Sequence, residues 1–117
     1  MPYRFKPMQI IIAKKAYAVV LSIHGHFNAS ATSEFERVFN QHLDAGERHF
    51  VLNLTELTFI SSAGLCSILA TAKKIKEQDG NLAICALQGE ALKVFEISGF
   101  AALFSIYPTE AAALKQV

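Results

Sequence analysis

The stretch Thr58-Phe59-Ile60-Ser61-Ser62-Ala63-Gly64-Leu65-Cys66-Ser67-Ile68-Leu69 sets two adjacent serines between apolar runs, where a strand gives way to a helix. Upstream, Phe50-Val51-Leu52-Asn53-Leu54 reads as a buried strand. Downstream, Leu65, Ile68, Leu69, Ala72 and Ile75 follow the i, i+3, i+4, i+7 spacing of an amphipathic helix. Lys73, Lys74 and Lys76 fill its last turn, where cations suit the negative end of the helix dipole, and Gly80 stops it. The serines therefore fall at a helix N-terminus, where backbone N–H groups lack intrahelical partners. Such a place favours a serine cap and also tolerates a phosphate, and position alone fits either.

The rest of the chain supplies a frame for that junction. Strand Phe50–Leu54, the helix after the serines and the run Leu82-Ala83-Ile84-Cys85-Ala86-Leu87 form a βαβ unit, which requires two parallel strands. Ahead of it, Met8 to Ala13 and Tyr17 to Ile23 read as a hairpin turning at Lys14-Lys15. A helix between Ser30 and Gly46 presents Phe35, Val38, Phe39 and Leu43 on one face, with Ser30, Thr32 or Ser33 available as its cap.

Gly89 to Ser98 reads as a third helix burying Leu92, Phe95 and either Val94 or Ile97, with Gly99 supplying a left-handed stop. A short strand, Phe104 to Tyr107, precedes a last helix capped by Thr109 with Glu110 in its first turn. The order β-β-α-β-α-β-α-β-α implies one α/β domain over residues 1–117, with a mixed four- to five-stranded sheet and about four helices. A chain of this length buries about two-thirds of its unfolded surface, enough for a core. Sites in such domains gather at the carboxyl ends of the parallel strands, and Ser61 and Ser62 lie at one.

Composition narrows the function. With 52% hydrophobic residues and a net charge of +1, the chain lacks the polar, highly charged signature of disorder. Its basic residues are scattered, which argues against nucleic acid. The uncharged run between Glu56 and Lys73 contains Ser61, Ser62, Gly64 and Ser67 and falls short of the roughly 18–20 apolar residues that cross a bilayer. Met-Pro-Tyr-Arg-Phe-Lys-Pro at the start leads only into Ile10-Ile11-Ile12 with no cleavage site, so a cytoplasmic protein without membrane insertion is expected.

Cys66 and Cys85 have no CxxC spacing and read as small buried hydrophobes. His24 and His26 alternate on one strand face without a third ligand at matching spacing, so neither metal nor other cofactor is expected. The serine pair lacks the Gly-x-Ser-x-Gly elbow and a recognisable base, which argues against a hydrolase. Gly64, inside the first helical turn, costs about 0.5–1 kcal/mol relative to alanine and so implies close packing or an approaching partner backbone.

At Phe59-Ile60-Ser61-Ser62-Ala63-Gly64-Leu65 the chain resembles the STAS domain, and within it the bacterial anti-sigma factor antagonists. Lesser echoes extend the resemblance: His24-Gly25-His26-Phe27-Asn28, Ile97-Ser98-Gly99-Phe100 and Ile106-Tyr107-Pro108-Thr109. It implies that Ser62 is a phosphoacceptor, with Ser61 the second choice. It also implies a partner-binding face of Asn28, Ser61, Ser62, Ala63 and Gly64. The implied partners are an anti-sigma factor that is also a serine-protein kinase, bound by the unphosphorylated form and released by phosphorylation, and a Ser/Thr phosphatase acting on Ser62. Ser61 and Asn28 both stand where the family often has Asp, and each removes negative charge from that face. A non-enzymatic binding module is thus expected, with a constitutive accessory subunit of a lipid-transporting ABC system as the alternative and a serine hydrolase as a remote one.

Overall fold

The structure is a computed structural model that describes residues 6–117; the first five residues, part of the stretch read above for a leader, lie outside the described residues. Strands β1 (Gln9–Lys15) and β2 (Ala18–Phe27) form the expected antiparallel hairpin. The turn is not at Lys14-Lys15, which continue β1, but at Ala16-Tyr17, where Ala16 takes a positive φ of 54°. Strand β2 is the spine of the sheet. Its other edge pairs in parallel with β3 (His49–Asn53) over Val19 to Ser22 and then with β4 (Leu57–Ile60) over Gly25 to Phe27. Strands β5 (Asn81–Cys85) and β6 (Ser105–Tyr107) continue the parallel set, giving the order β1-β2-β3-β5-β6 with β4 beside the end of β2.

The mixed α/β fold is the one expected, with one strand more. The added strand is β4, whose four residues, Leu57–Ile60, are too few to stand apart from the serine turn by pattern. Helix α1 (Thr32–Asp44) follows a 3₁₀ turn, Ala29–Ala31, and that turn removes the need for a capping side chain. The three candidates do not cap: Ala31 occupies the cap position, Ser30 bonds Asn28, and Thr32 Oγ1 donates to the Ala29 carbonyl. Helix α2 (Ser62–Glu77) ends through Asp79, which carries the positive φ of 63°, rather than through Gly80. Gly80 matters for closeness: a Cβ there would lie 2.4 Å from the Arg48 carbonyl oxygen. Helices α3 (Gly89–Ile97) and α4 (Glu110–Leu114) complete the chain. Gly99 is left-handed and Thr109 caps α4, both as expected.

One sheet face carries the main core, where Val19, Leu21 and Ile23 of β2 meet Phe35, Val38 and Phe39 of α1 and Leu65, Ile68 and Ile75 of α2. Four phenyl rings run through it, Phe27 to Phe35, Phe39 and Phe50, with successive centroids 4.8, 4.9 and 5.2 Å apart. Each such ring, once buried, contributes about 1.5–3 kcal/mol, and the tilted pairs add a smaller increment. This run fixes the end of β2 under α1. On the opposite face α4 covers Val20, Val51, Ala83 and Cys85 through Ala113. In α3 it is Ala91 and Phe95 that are buried; Leu92 and Val94 are half-buried, and Ile97, one of the two alternatives for burial, is 87% exposed.

Candidate functional site

The serine junction is built where β2 and β4 end side by side. Ser61 is the N-cap of α2, extended at φ −89° and ψ 170°, and its hydroxyl accepts the Gly64 N–H at 3.1 Å. Its own N–H donates to the Phe27 carbonyl at 3.0 Å, and its carbonyl accepts the Leu65 N–H at 3.0 Å. Three bonds thus hold Ser61 to the end of β2 and the first turn of α2. Ser62 is the first helical residue, exposed, and its hydroxyl makes no hydrogen bond among the described residues. The two serines therefore differ in their surroundings. Ser61 is half-buried and caps; Ser62 stands in solvent beside unpaired helix-start amides.

Ala63 is exposed next to Ser62, and Asn28, just after the Phe27 anchor, is half-buried with its Oδ1 accepting the Ser30 hydroxyl at 2.7 Å. These residues gather at one end of the sheet. Gly64 does not present itself on the same surface. It is buried, and a Cβ there would lie 2.7 Å from the Phe27 carbonyl oxygen and 2.9 Å from Ile60 Cγ1. Of the two reasons for a glycine here, close packing is the one observed.

Two further exposed groups lie beside the serines. Phe59 on β4 is 47% exposed, its ring 5.7 Å from that of His26, whose Nδ1 lies 3.3 Å from Thr58 Oγ1. A phenylalanine in a strand ordinarily signals core, but Phe59 pairs with His26 and so takes the sheet face opposite the buried Ile60 and Phe27. Cys66 is exposed one turn after Ser62, which corrects its reading as a buried hydrophobe. Cys85 is buried as expected, and desolvation, with the Glu110 charge behind it, pushes its thiol up to about 11. It is an inert packing group.

Electrostatically the junction is plain. Among the described residues neither serine is hydrogen-bonded to an imidazole or a carboxylate, and no cluster of three or more His, Cys, Asp and Glu could hold a metal ion. No described helix is long and apolar enough to cross a membrane. What the arrangement offers is an exposed hydroxyl at the positive end of a sixteen-residue helix, next to the small exposed Ala63 and near the exposed Phe59 ring.

Residues 9–113 match the STAS domain. A Bordetella bronchiseptica protein named as an anti-sigma factor antagonist, BtrV, is 34% identical over 106 residues, covering 91% of each chain. The chain therefore belongs to the STAS domain family. An anti-sigma factor antagonist from Mycobacterium paratuberculosis shares its fold with a TM-score of 0.85 at 20% identity, over 95% of this chain and 94% of that one. The Bacillus cell fate determinant SpoIIAA in its phosphorylated form gives 0.70 at 19% identity, over 94% and 98%.

Proposed function

We propose that this chain is an anti-sigma factor antagonist that works by partner switching: a binding module, cytoplasmic and without catalysis of its own. The unphosphorylated form docks on an anti-sigma factor that is also its serine kinase. Transfer of a phosphoryl group to Ser62 ends the complex, and a Ser/Thr phosphatase restores it. Asn28, Ser61, Ser62 and Ala63 form the docking face, with Gly64 holding its shape from beneath. The observation that carries this reading is the division between the two serines, because Ser61 caps α2 and leaves the exposed Ser62 hydroxyl uncommitted. Support also comes from the relative named as an anti-sigma factor antagonist and from the phosphorylated state recorded for SpoIIAA.

Two energies of different size make such a switch. Within the domain a phosphate on Ser62 adds nearly two negative charges at a helix N-terminus, which is favourable by about 0.3–1 kcal/mol and up to ~2 when partly buried. In a closed interface the same dianion without a cation costs several kcal/mol, and each ~1.4 kcal/mol is tenfold in affinity. The interface term is larger. Phosphorylation leaves the fold intact and removes the partner.

Phosphopeptide mapping of the protein recovered from cells, after co-purification of its partner, tests the reading. Phosphate on Ser62 and a kinase-like ATPase in the complex are the expected results. Phosphate confined to Ser61, Ser67 or a threonine overturns the site, and an ABC ATPase as sole partner overturns the function.

A further inference from the structure

The outer edge of β1 is open: among the described residues only β2 pairs with this strand, along seven residues from Gln9 to Lys15. Edge strands are ordinarily protected by charge, by proline, by a bulge or by being short. β1 has a continuous register with β2, contains no proline, and carries Ile10-Ile11-Ile12 in its middle. Its two lysines lie at one end and are paired with acids of the same molecule, Lys14 with Glu47 and Lys15 with Glu110, which leaves residues 9–13 of the edge without charge. Ile12, on the face of the main core opposite Leu21, is 44% exposed, and Ile11, on the face of α4 opposite Ser22, is 53% exposed. An apolar side chain is thus left half-covered on each face of the sheet at the same edge.

We infer that the occupant of this edge is β1 of a second copy, paired antiparallel about a two-fold axis at Ile12. That register is self-complementary. It sets Ile12 against Ile12 of the second copy, Ile11 against Ala13, Ile10 against Lys14 and Gln9 against Lys15, so that no two lysines face each other directly. Cross-strand neighbours share a face, so the Ile12 pair covers the open spot on one side and the two Ile11–Ala13 pairs cover it on the other. A closed two-fold contact of this kind consumes both edges and stops at the dimer. One strand per copy is a small interface, which sets a weak, concentration-dependent association with a dissociation constant between about 1 µM and 1 mM. The Ser62 junction stays accessible in it, because β4 pairs with the opposite edge of β2 from β1.

Sedimentation equilibrium of the chain alone over that concentration range tests the association, with Ile12→Lys as the variant. The wild type is expected to reach dimer, and the variant, which opposes two like charges, to dimerise about tenfold or more weakly at an unchanged melting temperature. Register is tested separately by cysteine substitution in a Cys66→Ser background. Ile12→Cys is expected to form a disulfide dimer on mild oxidation, since directly opposed Cβ atoms lie about 4.5–5.5 Å apart. Gln9→Cys and Lys15→Cys should cross-link when mixed and not when oxidised alone. A monomer at every concentration, or cross-linking indifferent to position, overturns the inference. Loss of the dimer with Ser62 function retained would leave the proposed switch untouched.

Discussion

The carbonyl oxygen of Phe27 stands 2.7 Å from the place that a Cβ on Gly64 would occupy, so the first turn of α2 is pressed directly onto the end of β2. The same oxygen accepts the Ser61 N–H at 3.0 Å. One backbone atom of β2 therefore sets both the height and the direction of the helix that presents Ser62.

Gly64→Ala is expected to destabilise the protein although alanine is the better helix former. The propensity gain is about 0.5–1 kcal/mol, whereas forcing a methyl group against the Phe27 carbonyl and Ile60 costs about 1–3 kcal/mol. Denaturant melts should show a net loss, up to about 2.5 kcal/mol. A variant as stable as wild type would show that α2 can shift away from β2 at no cost.

The two serines should separate in the same assay. Ser61→Ala removes a cap and is expected to cost about 0.5–2 kcal/mol, while Ser62→Ala, at an exposed position without a hydrogen bond, should stay within about 0.5 kcal/mol of wild type. Equal losses would mean that the cap is shared between them.

Acid should loosen α4. The Lys15 ammonium bonded to Glu110 holds that carboxyl below its ordinary value, against the opposing effect of burial and with help from the Asn53 amide at 3.1 Å. A carboxyl with a folded value below the unfolded one stabilises the protein in full above the unfolded value, about 4.3. The contribution is lost as pH falls through the folded value. Melting curves between pH 7 and acid should therefore lose about 1 kcal/mol or less through this group, and Glu110→Gln should lack that component. Superimposable pH profiles for the two proteins would contradict the assignment.

Much of this was legible because it rests on local pattern. Phe35, Val38, Phe39 and Leu43 announced α1, and Leu65, Ile68 and Ile75 announced α2, and all of them are buried. The Thr109 cap and the left-handed Gly99 were legible for the same reason. What escaped depends on distant contacts. Gly64 is required by the Phe27 carbonyl thirty-seven positions away in sequence, and nothing in its neighbours distinguishes that need from a partner's approach. Exposure of Phe59 and Cys66 depends on which faces of β4 and of the start of α2 other elements cover, which periodicity does not encode. Lys14 and Lys15 looked like a turn because their acids, Glu47 and Glu110, lie far along the chain.

The central claim is that Ser62 is a switch on a docking surface, and the most direct measurement is isothermal titration of wild type, Ser62→Ala and Ser62→Asp against the kinase partner, with melting curves alongside. All three should fold with similar stability, because Ser62 carries no structural bond and Asp is favoured at a helix start. Alanine keeps the surface small and neutral and should bind like wild type. Aspartate should bind at least about 30-fold more weakly, the effect of some 2–3 kcal/mol for one unpaired charge in a closed interface. Equal affinity for the alanine and aspartate forms would put Ser62 outside the interface and contradict the switch.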